Sequence, residues 1–194
     1  MNRRSWLTLA ALATALPAWA TRPITTEGVT FAGDITLAET PLQLNGVGLR
    51  AVVWIKGYAA GLYLPKKAAT PAQVYAQLGA KRLRMVMLLE VDVEEFVKAF
   101  HKGVDRNTPP ANLPGLQERM QRFDAILRTL GKLKKQDVID FDFLPDHGLQ
   151  LTRNGKVGGE AIPGEDLYAA LLSCFLGDKP VDTGLKAGLL GGKT

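Results

Sequence analysis

One stretch limits this chain's options more than any other: Leu44-Asn-Gly-Val-Gly-Leu-Arg-Ala-Val-Val-Trp-Ile-Lys-Gly-Tyr-Ala-Ala-Gly-Leu-Tyr-Leu64. From Leu49 to Leu64 it contains no proline, Asp or Asn. Such a run suits one long strand, or two joined by a bend, near the middle of a sheet. Gly46-Val-Gly48 reads as a glycine-bracketed turn that opens it. Side chains alternate between the faces of a strand. Without a bulge, Arg50, Val52, Trp54, Lys56, Tyr58, Ala60, Leu62 and Leu64 share one face, and the face from Ala51 to Tyr63 is mostly small. Glycines inside a strand mark bends, or places where another element or a ligand comes close to the backbone. Arg50 then has two readings. It is a structural ion pair in a packed central strand, or a cation facing a cleft.

The first twenty residues read as an address. Asn2-Arg-Arg4 is a charged start, Trp6 to Leu16 a short apolar run, and Ala18-Trp-Ala20 an A-x-A cleavage signal. Residues 1–20 are thus expected to be a signal peptide, leaving one domain, 21–194, in the periplasm or secreted. The apolar run is too short to span a membrane, and no later segment approaches that length, so no integral span is expected. Loss of Arg3 and Arg4 lowers the net charge from +5 to +3. That mild excess does not suggest a nucleic-acid protein. The densest basic cluster, Arg128, Lys132, Lys134 and Lys135, closes a helix, where the dipole favours cations. Cys174 is the only cysteine, which excludes an intrachain disulfide. Two histidines and one cysteine, far apart, argue against a zinc site.

Along the chain, Thr25–Phe31, Ile35–Leu37 and Leu42–Leu44 are short β-prone runs. Thr70-Pro71 predicts a helix start, threonine as cap and proline at the first position, closing at Gly79. Arg82–Glu90 alternates as a strand, with Leu83, Met85, Met87 and Leu89 on one face. Asp92-Val-Glu-Glu95 predicts a capped helix with Val93, Phe96, Val97, Phe100 and Val104 on one stripe, ending near Gly103. Leu113 to Leu130 predicts the longest helix. Val138–Phe143 returns to period two, Ile139, Phe141 and Phe143 inward and Asp140 and Asp142 outward on the wet face. Asn154-Gly155 predicts a hairpin into Lys156–Ile162. Helices are predicted over Glu165–Leu176 and about Thr183–Leu190. Strands, helices, strands, helices argue for an α+β fold with an antiparallel sheet.

No nucleophile elbow, phosphate loop or dinucleotide fingerprint is present; Gly46-Val-Gly48 lacks the third glycine and the helix. Glu94-Glu95 and Asp140/Asp142 read as structural carboxylates. His101, at the border of a helix stripe, is a candidate axial haem ligand or a partly exposed side chain. His147, in Pro145-Asp-His-Gly148, reads as solvent-facing.

Two segments carry a resemblance. Gly46-Val-Gly-Leu-Arg50 with Ile55–Leu64, and Phe175-Leu-Gly-Asp-Lys-Pro-Val-Asp-Thr-Gly-Leu-Lys-Ala-Gly-Leu-Leu190, look like the exported bacterial branch of the chalcone isomerase-like family. The resemblance covers essentially all of residues 21–194. It implies an open-faced β-sandwich: a long curved antiparallel sheet, a layer of helices on one face, and a ligand cleft between them. The family includes flavonoid cyclases, fatty-acid-binding proteins and haem-binding relatives, so fold does not choose function.

Within that resemblance the cyclase's arginine is matched by Arg50. Its threonine falls on Tyr58, its helical tyrosine near Phe96, its asparagine near Gly103, and a later threonine at about Cys174. One of five polar groups is kept in kind. A cleft with one arginine and apolar walls suits a carboxylate with an apolar tail, held by a charge-assisted bond to Arg50. Arg50, Tyr58, Phe96, Phe100 and Cys174 are the candidate ligand-binding residues, with Val97, Met120, Phe123, Phe141 and Phe143 lining or backing the cavity. The expected function is a non-catalytic periplasmic binder of a fatty acid or similar amphiphile, without a cofactor. An intramolecular lyase of chalcone isomerase type, with Arg50 catalytic, is the alternative. A haem binder using His101 and a partner-binding domain with a filled cleft are further ones.

Overall fold

The computed structural model describes residues 21–192; the expected signal peptide lies outside them. Thr25–Phe31 folds as two strands, β1 (Ile24–Thr26) and β2 (Val29–Phe31), rather than one run. Glu27 and Gly28 make the turn, both at positive φ, as tight hairpins require. A seven-stranded sheet follows in chain order: β3 (Asp34–Leu37), β4 (Thr40–Val52), β5 (Ile55–Leu64), β6 (Lys81–Met87), β7 (Val138–Leu144), β8 (Gly148–Arg153) and β9 (Lys156–Val157). Every neighbouring pair is antiparallel. The strand expected over Lys156–Ile162 is only two residues long; Ile162 returns as an isolated bridge to Leu149.

Helix α1 (Pro71–Tyr75) lies between β5 and β6, capped by Thr70 Oγ1, which accepts from Gln73 N at 3.3 Å. Helices α2 (Val93–Asn107) and α3 (Leu113–Arg128) lie between β6 and β7. Asp92 caps α2, accepting from Glu94 N at 2.9 Å. That helix does not stop at Gly103. Gly103 is there for packing: a Cβ would meet Cys174 Sγ at 2.5 Å. Helices α4 (Glu165–Leu176) and α5 (Thr183–Leu189) close the fold.

One face of the curved sheet carries Leu62, Leu83, Met85, Phe141, Leu149 and Leu151 into a core completed by the helices. This is the expected open-faced α+β sandwich. The opposite face holds a second apolar cluster, in which Phe31 of β2 covers Leu42, Leu44, Val47, Ala59 and Tyr63. Gly61 makes room for the Phe31 ring, which would stand 2.6 Å from a Cβ there.

That second cluster corrects the reading of Asp140 and Asp142. Both are buried, not wet. Arg82 and Arg84 are their register partners across β6 and β7. Each arginine grips its aspartate with two prongs: Arg82 Nε and Nη2 at 2.6 Å from Asp142, Arg84 Nε and Nη2 at 2.7 Å from Asp140. Such paired charge-assisted bonds satisfy both acids on a face with little water.

Gly46-Val-Gly48 is not a turn. It lies inside β4, and the turn is the two-residue loop Val53-Trp54 that joins β4 to β5. Ahead of the glycines the pairing shifts by one residue, from Leu44↔Tyr63 to Gly46↔Leu62, so Asn45 is a β-bulge. A bulge reverses which face later residues occupy. Leu42 and Leu44 face the β1–β2 hairpin before it, and Val47 and Leu49 do so after it. Asn45 itself is buried and fully engaged. Its Nδ2 donates to Ala68 O (2.9 Å) and Leu189 O (2.7 Å), and its Oδ1 accepts from Ala68 N (2.7 Å).

Candidate functional site

The bulge turns Gly46, Gly48 and Arg50 toward the helices. The two glycines let α5 lie directly on the strand: a Cβ would stand 2.1 Å from Gly188 O at Gly46 and 2.5 Å from Leu185 O at Gly48. Beyond the N-terminal start of α5, at Asp182, the space opens. Arg50 is paired with Tyr58 across β4 and β5, so both project to the same side. A second irregularity follows at once, since Ala51 pairs with Lys56 and leaves Gly57 as the extra residue.

Between this end of the sheet and helices α2 and α4 is a cavity of about 400 Å³. Arg50, Tyr58, Phe96, Phe100 and Cys174 all line it, together with Gly57, Met87, Val91, Glu95, Ala99, Leu171, Phe175 and Val181. The volume falls in the range of small-ligand sites, about 300–1,000 Å³. Sequence periodicity pointed to Phe96 and Phe100 on α2. It missed the α4 wall, because Leu171 and Phe175 belong to a helix that is apolar on nearly every side. The other expected lining residues stand behind the wall. Phe141 stacks on Phe96 (centroids 5.7 Å) and Phe123 packs edge-on against Phe100 (5.1 Å). Val97, Met120 and Phe143 are in the main core, not at the cavity.

Arg50 is the one cation among the lining residues. Its Nη1 donates to Ala51 O (2.9 Å) and to Asp182 Oδ2 (3.3 Å). Among the described residues, neither Nε nor Nη2 makes a hydrogen bond. The guanidinium is therefore held from one side, and its second prong is available. Glu95, at the rim, directs its carboxylate to Lys98 at 2.8 Å. Burial pushes the Tyr58 phenol well above its ordinary range, against the opposite pull of Arg50. It stays a neutral hydroxyl next to a permanent cation. Burial likewise pushes the Cys174 thiol up to about 12. Cys174 Sγ points to Phe100 O (3.6 Å) and Ala170 O (3.5 Å), as an inert wall.

His101 does not line this cavity. It bonds Asp124 of α3 through Nε2 at 2.7 Å, across the α2–α3 contact. His147 is exposed, in the turn between β7 and β8. A larger and more open depression, about 750 Å³, lies beside Tyr75, Asn107 and α4. It has Asp166 and Asp178 and no cation, so it does not suit an anionic ligand. Among the described residues no group of three or more His, Cys, Asp or Glu is placed to hold a metal ion.

The family described as chalcone isomerase-like matches residues 23–191. This chain belongs to the chalcone isomerase-like family. Comparison with curated protein sequences gives no match. Among solved structures, a fatty-acid binding protein of Arabidopsis thaliana superposes with a TM-score of 0.65. The alignment covers 87% of this chain and 95% of that one, at 16% identity. At that identity the likeness shows the shared chalcone isomerase-like fold.

Proposed function

We propose that this protein is a non-catalytic binder of a fatty acid or similar amphiphilic carboxylate, acting in the periplasm once residues 1–20 are removed. One observation carries the reading. A cavity walled mostly by apolar side chains contains a single cation, Arg50, whose Nε and Nη2 make no hydrogen bond among the described residues. The unused donors would receive the carboxylate in a charge-assisted contact. The tail would lie against Phe96, Phe100, Leu171 and Phe175, where burial contributes about 25 cal/mol per Å². The fatty-acid binding protein of the same fold supports this class of ligand. In the resemblance to the cyclase, polar groups fall near Phe96, Gly103 and Cys174, which offer no side-chain oxygen or nitrogen, and Tyr58 alone brings a hydroxyl to the cavity. Catalysis by orientation and electrostatic stabilisation depends on such groups.

Calorimetric titration of the wild type with palmitate tests the reading. Arg50→Ala should weaken binding by roughly 1.5–3 kcal/mol, the scale of a hydrogen bond to a charged group. Arg50→Lys should recover only part of it, because an ammonium lacks the planar fork. Unchanged affinity in Arg50→Ala would sink the anchor role. Turnover of a chalcone above the spontaneous rate, dependent on Arg50, would favour the lyase instead.

A further inference from the structure

The turn joining β4 to β5 breaks the usual chemistry of a two-residue hairpin. Such turns favour Asn-Gly or another glycine pair, and this chain complies at Asn154-Gly155, both at positive φ. Here the two residues are Val53 and Trp54. Val53 adopts φ 56, a region that β-branched residues avoid. Both side chains stand in water, Val53 at 81% and Trp54 at 82% exposure, with Ile55 at 55% beside them. The other exposed large apolar residues among those described, Ile24, Leu78 and Val157, are scattered singly in the sequence. Three in succession, at a strained and projecting tip, are a different matter.

The tip adjoins the cavity. Arg50, Gly57 and Tyr58 line it from the two strands that the tip connects. Leu88 N donates to Gly57 O at 2.9 Å, which brings the half-buried Leu88-Leu89 pair alongside. Of the basic residues on the two strands that the tip joins, Arg50 pairs with Asp182 at 3.3 Å. Lys56, next to the tip, is half exposed and pairs with Glu27 at 2.7 Å. The charge near the tip therefore assists contact with an anionic surface only modestly, and apolar insertion supplies the main attraction.

We infer that Val53-Trp54-Ile55 inserts into the headgroup region of an anionic lipid bilayer and docks the cavity mouth there. An amphiphile can then pass between bilayer and cavity with little exposure of its tail to water. The inference rests on the amphiphile-binding reading above. A tryptophan ring is suited to the membrane–water boundary. Flanking aliphatics add buried area, and basic residues add attraction to anionic lipid. Docking of this kind needs no spanning segment, and no described helix is long and apolar enough to cross a membrane.

Trp54 is the single tryptophan of residues 21–194, so its fluorescence reports on the tip in protein that begins at Thr21 and keeps the whole described fold. With vesicles of equimolar phosphatidylethanolamine and phosphatidylglycerol, its emission should shift to the blue and become shielded from an aqueous quencher. In co-sedimentation, Trp54→Ser should lower the partition coefficient at least about tenfold, and Trp54→Phe much less. Melting temperature and lipid-free palmitate affinity should match the wild type in both. Absence of vesicle binding, or equal binding by Trp54→Ser, overturns the inference. So does self-association or protein binding that requires Trp54 without vesicle binding. If docking depends on Trp54 but the wild type fails to bind palmitate in lipid-free solution, the cavity reading fails and the bilayer contact stands alone.

Discussion

Arg50 and Asp182 are 132 residues apart in the chain and meet at 3.3 Å beside the cavity. Asp182 Oδ1 meanwhile accepts from Leu185 N at 2.9 Å, capping α5. One carboxylate thus starts the last helix with one oxygen and holds the cavity's cation with the other. The two side chains are 25% and 19% exposed, so solvent still screens the pair and its net worth to stability is small. On the proposed function, a ligand carboxylate at the unused Nε and Nη2 would share the guanidinium with Asp182, whose negative charge opposes it.

That opposition is separable from the cap. Asparagine caps helices as well as aspartate does, so Asp182→Asn should fold with a near wild-type melting temperature. Removing the resident negative charge should tighten palmitate binding by roughly 0.5–1 kcal/mol, the scale of a partly exposed ion pair. Asp182→Ala should instead lose about 0.5–2 kcal/mol of stability with the cap. Calorimetry and thermal melts on the two variants check both statements; equal palmitate affinity in Asp182→Asn and wild type would refute the opposition.

Gly48 should tolerate no side chain. A Cβ would press on Leu185 O, a backbone atom, at 2.5 Å. Gly48→Ala is expected to lose about 1–3 kcal/mol, the usual penalty of overpacking, and to draw Asp182 from Arg50 as α5 moves. Gly115→Ala in α3, where nothing lies within 4 Å, is the control and should be neutral or slightly stabilising. Urea denaturation measures the difference.

The Arg82–Asp142 pair should matter to the fold and not to the ligand. Asp142→Ala leaves a largely buried guanidinium, and losing one partner of such a pair costs about 3–5 kcal/mol. Arg82 keeps a contact to Asp140 at 3.4 Å, which places the loss toward the lower end. The paired replacement Arg82→Met with Asp142→Leu should recover much of it, because no orphan charge remains. Denaturation of the single and double variants gives the answer, with palmitate affinity unchanged throughout.

Cys174 should react slowly. Its thiol, pushed up to about 12 by burial, supplies almost no thiolate at pH 8. Labelling by a soluble thiol reagent should follow the rate at which the fold opens and accelerate with denaturant. Rapid labelling of the native protein would contradict the packing of α4 on α2.

Much of this was legible in the chain. The alternation of Leu83, Met85 and Met87 and the stripe Val93, Val97, Phe100 and Val104 announce a sheet face and a helix face that need one another. Thr70 and Asp92 mark helix starts by a local bond that requires no distant partner. Burial of Cys174 follows from its place in an apolar helix. Resemblance picked out Arg50, Tyr58, Phe96 and Cys174, the helical stripe added Phe100, and all five line one cavity.

What the chain did not disclose depends on pairing across space. A one-residue bulge at Asn45 leaves composition untouched, yet it decides which face Arg50 occupies. Gly46-Val-Gly48 has the look of a turn because glycine's freedom suits turns; here its missing side chains admit α5. Asp140 and Asp142 alternate as exposed residues would, and only their register opposite Arg84 and Arg82 makes burial tolerable. Local sequence determines period, caps and apolar stripes, since these arise from bonds between near neighbours. Register and the meeting of Arg50 with Asp182 arise only once the strands and helices pack, because the groups that satisfy each charge lie far away along the chain.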